Sequence, residues 1–232
     1  MALIKFGGGI TAMSGSLAGQ TYARNHYGNY VRARTKPVNK NTDRQIFARN
    51  VMKNTSELWS NSLTIEQRQS WNEFAANVPV TNKLGESITL SGFNQFCRSN
   101  AAILNAELTV VKDAPSTFTM PEVDPTIAAT YVGSTGKISV AFDTDLAWVK
   151  EAGAALLVYQ GAPQSPGVEF FNGPWRLVGN VPGVTSTGAE SPAEFDSAYV
   201  LAAGQKCTCQ FRIVRADGRL SEFFRAPAAI VT

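Results

Sequence analysis

The sequence predicts an α+β chain of several parts: an N-terminal extended arm with a β-hairpin, a three-helix segment, and a C-terminal all-β sandwich. Capping signatures stand before runs of apolar residues at helical spacing between Thr42 and Glu107. From Thr126 onward short apolar runs alternate with turn residues, and a stretch with three prolines, Lys112 to Pro125, separates the two textures. A length of 232 residues suits two small folded units with an arm in front. The expected layout is 1–40 as a basic, glycine-rich arm and hairpin, 41–110 as a small helical domain, 111–125 as a proline-rich linker and 126–232 as the sandwich.

The arm carries Gly7, Gly8, Gly9, Gly15, Gly19 and Gly28 and few large apolar side chains before Tyr22, so it cannot build a core by itself. Gln20 to Thr35 nevertheless reads as a hairpin, with His26-Tyr27-Gly28-Asn29 as its turn. Period-two alternation groups Tyr30, Arg32 and Arg34, and the expected pairing sets Tyr22 and Arg24 beside them.

Thr42-Asp-Arg-Gln45 and Thr64-Ile-Glu-Gln67 both match the capping box, in which the threonine hydroxyl and the glutamine amide satisfy the free N–H groups of a first turn. They predict helices over 43–61 and 65–77, and Ser91 predicts a third over 92–107 carrying Phe93, Phe96, Cys97 and Leu104. Glu86 to Leu90 reads as a short strand, and Trp59 and Trp71 belong to the helical core. Beyond the linker, strands are expected over 127–132, 137–142, 154–160, 175–181, 205–215, 219–224 and 228–231. In the run from Cys207 to Ile213, Cys207, Cys209, Phe211 and Ile213 face a core while Thr208, Gln210 and Arg212 face water.

The formal charge of +3 conceals an asymmetry: up to Ser60 nine basic residues stand against two acidic ones, so that region is +7 and the remainder is −4. A basic front end on an acidic body is built to meet something anionic, a partner subunit or nucleic acid. No stretch approaches the roughly 20 apolar residues of a bilayer span, the opening residues lack the apolar core of a signal peptide, and three cysteines read as free thiols; a chain made in the cytoplasm with no membrane partner is expected.

The stretch Leu201-Ala-Ala-Gly204, the strand Cys207 to Ile213 and the hairpin Arg215-Ala-Asp-Gly218-Arg-Leu-Ser221 resemble the late strands of a fibronectin type III domain, in the immunoglobulin-like class of sandwiches. Cys207 stands near the position where that family carries a tyrosine. The N-terminal half, with Ser14-Gly-Ser-Leu-Ala-Gly19, Tyr30-Val-Arg-Ala-Arg34, Pro37-Val-Asn39, Trp59, Trp71 and Leu90-Ser-Gly92, is similar to proteins of tailed bacteriophages. That resemblance implies a virion component and carries no catalytic or binding residue with it.

No enzyme chemistry emerges. His26 is the single histidine and sits in the expected turn, without a nucleophile motif or acidic orienter. Cys207-Thr-Cys209 lacks the second ligand pair that zinc requires, Asp143 and Asp145 lack the further oxygens of a calcium site, and no Gly-Lys-Ser/Thr follows the glycines of the arm. Neither cofactor nor metal is expected. The expected binding face is Tyr22, Arg24, Tyr30, Arg32, Arg34 and Lys36, since arginine binds carboxylate or phosphate bidentately and stacks on aromatics. Its partners are other virion proteins or copies of the chain in an oligomer, with nucleic acid as the alternative. A third reading is an adhesin whose Phe170, Phe171 and Trp175 hold a carbohydrate or receptor.

Overall fold

The computed structural model describes residues 2–36, 38–82 and 84–232. Among them stand three α-helices and fifteen short strands in five sheets, every pair antiparallel, so the mixed α+β class is as predicted. The chain divides into two compact units, Met1–Cys97 and Arg98–Thr232.

The first unit opens with a sheet ordered β1-β4-β3-β2, built from β1 (Ala2–Leu3), β2 (Gly15–Leu17), β3 (Gln20–Asn25) and β4 (Gly28–Ala33). The expected hairpin is its centre, while β1 and β2 are too short to show a period in sequence. Both capping boxes form. Thr42 and Gln45 exchange bonds of 3.4 and 3.2 Å ahead of α1 (Asp43–Glu57), and Thr64 and Gln67 exchange bonds of 3.2 and 2.9 Å ahead of α2 (Ile65–Asn77). The first helix ends earlier than its pattern implied, because Leu58–Ser62 widens into a π turn. Strands β5 (Val80–Thr81) and β6 (Ser87–Ile88) pair before α3 (Gly92–Asn105), where Ser91 Oγ accepts the Asn94 N–H at 3.3 Å.

The core of this unit is aromatic. Trp71 is fully buried and meets Phe74 and Phe96 edge-on, while half-buried Trp59 packs on Phe93 and Phe96. Gly92 lets α3 approach α2: a Cβ there would lie 2.7 Å from the Asn72 backbone nitrogen.

The second unit holds β7 (Ala128–Val132), β8 (Lys137–Ala141), β9 (Ala155–Gly161), β10 (Trp175–Pro182), β11 (Ala193–Asp196), β12 (Lys206–Cys207), β13 (Cys209–Val214), β14 (Phe224–Arg225) and β15 (Ala229–Ile230). A three-stranded sheet runs β11-β8-β7 and a four-stranded one β10-β9-β13-β14. Alternate residues of both meet in one core: Tyr131, Ile138 and Val140 from the first, Leu156, Val158, Phe211 and Ile213 from the second. β11 was not foreseen, because Ala-Glu-Phe-Asp is too short and too polar to read as a strand.

The opposite face of the four-stranded sheet is covered too. Ala102, Ile103 and Ala106 pack there with Ala155, Leu157, Val214 and Leu220. The water-facing role expected for Arg212 is therefore corrected: Arg212 is buried, its Nε–H donates to Ser221 O at 3.2 Å and its guanidinium lies 4.5 Å over the Phe223 ring. Burial, with the nearby Arg98 charge, pushes its pKa down to about 10. The segment 111–125, expected as a linker, runs against this unit. Pro115, Pro121 and Asp124 are buried, and the Asn100 amide bonds both Val111 N–H and Val111 O, at 2.9 and 3.1 Å. The division of the chain accordingly falls within α3 and not in the proline-rich stretch.

Gln160, fully buried on β9, fastens the chain between β11 and β12. Its Oε1 accepts the Ala198 N–H at 2.8 Å and its Nε2 donates to Ser197 Oγ at 2.9 Å, whose hydroxyl donates to Tyr199 O at 2.7 Å. Replacing Gln160 with leucine leaves these groups without partners and is expected to cost about 1–3 kcal/mol. Chemical denaturation checks this; an unchanged midpoint would show that the corner holds without the amide.

Candidate functional site

The expected binding face depends on which side of the hairpin each residue takes, and that follows from the register. Asn25 pairs with Gly28 across a two-residue turn of His26 and Tyr27, so Tyr22 stands opposite Val31, Arg24 opposite Asn29, Tyr30 opposite Ala23 and Arg32 opposite Thr21. Residues directly opposite share a face. Tyr22 and Arg24 therefore lie on one side of the sheet and Tyr30 and Arg32 on the other, which corrects the single face expected from sequence. The physical reason is parity: a turn with an even number of residues pairs even positions of one strand with odd positions of the next.

The other strands complete both sides. Ala2 and Gly15 flank the Val31–Tyr22 pair, and Tyr22 OH donates to Gln20 Oε1 at 2.7 Å. Leu3 joins Tyr30, and Ser16 joins Thr21 and Arg32. The Arg34 N–H donates to Gly19 O at 2.8 Å, and Lys36 lies exposed beyond β4. The six residues thus form two half-faces and a tail.

What distinguishes the region is its burial. Among the described residues from Ala2 to Asn50 none is buried, although the segment contains four paired strands and the first two turns of α1. It carries eight basic residues and one acidic one. Apolar side chains stand in the open as well: Leu17 is 65% exposed, Val38 81% and Phe47 38%, with the Arg44 guanidinium 5.3 Å above the Phe47 ring.

Polar contacts tie this sheet to the loop region after α2. Lys5 Nζ pairs with Glu86 at 2.7 Å, Asn82 Nδ2 donates to Tyr27 O at 3.4 Å, and His26 Nε2 meets the Thr89 carbonyl. His26, which the sequence places in the turn, thus tethers the sheet to Thr89. The Lys5 ammonium, and after it the Asn82 amide, hold the Glu86 carboxyl below its ordinary range.

The remaining sequence candidates resolve individually. Trp175 meets Phe171 edge-on at 4.9 Å and carries the Arg225 guanidinium 5.0 Å over its ring, Arg225 being held by Phe171 O and Asn172 Oδ1 at 3.0 and 3.2 Å. That ring face is already occupied, Phe171 is buried, and Phe170 stands 79% exposed. Asp143 Oδ1 accepts the Asp145 N–H at 2.9 Å, and Asp145 pairs with Lys150 at 3.4 Å. Among the described residues no three His, Cys, Asp or Glu side chains converge as a metal site would require. Cys97, Cys207 and Cys209 are buried free thiols; burial pushes Cys207 up to about 11 and Cys209 up to about 12.

No family model, curated protein or solved structure matches this chain. No helix of the described residues is long and apolar enough to cross a membrane.

Because the folded pKa of Glu86 lies below its unfolded value, the Lys5 pair stabilises the fold above the ordinary carboxylate range and is lost as pH falls through the folded value. Glu86→Gln is expected to give β1 at neutral pH the faster amide exchange that the native chain shows in acid. Equal exchange in variant and native protein at neutral pH would show that the pair does not hold the strand.

Proposed function

We propose that this chain is a non-enzymatic structural subunit of a bacteriophage particle, in a capsid-decorating or tail-associated position, which binds neighbouring subunits through its N-terminal fifty residues. The observation that supports the reading most is that this region is folded into paired strands yet has no buried side chain among its described residues. Ordering a residue costs about 1–2 kcal/mol of backbone entropy, and here no core of the region's own offsets that cost. A surface supplied by a neighbour would. The net charge of +7 also suits nucleic acid, but exposed Leu17, Val38 and Phe47 favour a protein partner with an apolar as well as an acidic surface.

The proposal extends to the second unit, residues 126–232 of which we read as a fibronectin III-like sandwich that projects from the assembly. Its strand order supports this. Counting from β7, the first, second and fifth strands form one sheet, and the fourth joins the third on the other. A constant-type immunoglobulin domain keeps its fourth strand with the first, second and fifth. Gln160 secures the corner that a tyrosine secures in related domains, which fits the cysteine at position 207.

Light scattering on the full chain beside a chain starting at Asn41 tests the assembly role. Defined oligomers of the full chain and a monomeric shortened chain are expected. Identical behaviour of the two would remove the N-terminal region from self-assembly, and DNA binding that weakens steeply with salt would assign it to nucleic acid instead.

A further inference from the structure

We propose that the acceptor for the N-terminal region is a groove on the second unit of another copy of this chain, between β10 and β11, and that residues 34–41 are the segment that enters it. This rests on the reading that the N-terminal region binds neighbouring subunits, and it names the partner.

The groove has a volume of about 460 Å³ and is open to solvent, with Val181, Val184, Pro192, Phe195, Glu190 and Glu194 among its lining residues. It lies where two sheets end: β10 and β11 are edge strands, each with a neighbour on one side only. The Phe195 ring sits over Gly179, where a Cβ would be 2.7 Å away, and floors the gap between the two edges. An unpaired edge beside a groove of mixed apolar and acidic lining accepts an extended basic segment, main chain to main chain, with a side chain in the groove for register. Glu190 and Glu194 are both exposed, and the acidic rim repels a second acidic edge while attracting a basic strand.

Residues 34–41 have the matching chemistry. Outside Pro37, which is not among the described residues, the segment has no regular structure and every residue is exposed. In an extended chain Lys36, Val38 and Lys40 fall on one side. Val38, 81% exposed, supplies an apolar side chain between two cations. The two lysines are four residues apart, about 13 Å in extended chain, and Glu190 and Glu194 stand on either side of the bend at Ser191 and Pro192 that leads into β11. The charges are opposite in sign between the two parts: the first fifty residues are +7 and the rest of the chain is −4. A contact of tail on body is head-to-tail, so it propagates into a ring or a filament.

A charge swap in the full chain tests this, read by sedimentation over a range of concentrations. Glu190→Lys with Glu194→Lys, and separately Lys36→Glu with Lys40→Glu, are each expected to weaken self-association about tenfold or more, and the fourfold variant is expected to recover it. All four positions are exposed, so unchanged melting temperatures separate lost association from lost folding. Association untouched by either reversal but abolished by Arg24→Glu with Arg32→Glu, both outside the segment, would overturn the groove while keeping the N-terminal region as an interface. Association indifferent to all three sets would overturn both readings. A native chain that stays monomeric at millimolar concentration would overturn the groove as an acceptor between copies.

Discussion

The second unit depends on one constraint: the central strands of its four-stranded sheet, β9 and β13, are largely buried on both faces. Leu156 and Val158 of β9 enter the core shared with the three-stranded sheet, while Ala155 and Leu157, one residue out of phase, enter the core beneath Ala102, Ile103 and Ala106. A strand covered on both sides loses its alternation and reads as a continuous apolar run, as Ala155-Leu-Leu-Val158 does. The buried polar side chains there are anchored, although Arg212 Nη2 is buried without a hydrogen-bond partner. Gln160 is tied to the corner after β11, and Arg212 is held by Ser221 O and the Phe223 ring.

Helices were legible wherever capping chemistry announced them. Thr42, Thr64 and Ser91 all cap as their spacing indicates, and α2 has the limits the sequence implies. The long strands of the second unit were legible through their apolar runs. What could not be read was whatever depends on a partner distant in sequence. The burial of Val214 follows from the helical residues packed with it, and β11 is recognisable only beside β8. Proline content marked 111–125 as a linker, yet the Asn100–Val111 bonds and buried Pro115 and Pro121 hold that stretch against the unit. Prolines stiffen a packed strap as readily as a free tether.

The candidate site was half legible. Its basic charge, glycine content and want of a core are properties of composition and appear in the structure as exposure. Its geometry is a matter of register, which composition does not contain. The N-terminal sheet also shows how a layer can be ordered without apolar burial: one ion pair, one amide and one histidine fasten it to the residues after α2. Such attachments are directional, so they set orientation while contributing modestly to stability.

The two-residue turn at His26 and Tyr27 makes the hairpin unusually open to change by length alone. One codon inserted there, with pairing re-formed around a two-residue turn, would slip the register by one and turn β4 over relative to β3. Tyr22, Arg24, Tyr30 and Arg32 would then gather on one side, and the aromatic-basic character now divided between two surfaces would be concentrated on one. Since no side chain of this sheet is buried, no core would resist the inversion. Related chains could therefore exchange a two-sided adhesive layer for a one-sided one by indel, with every side chain retained.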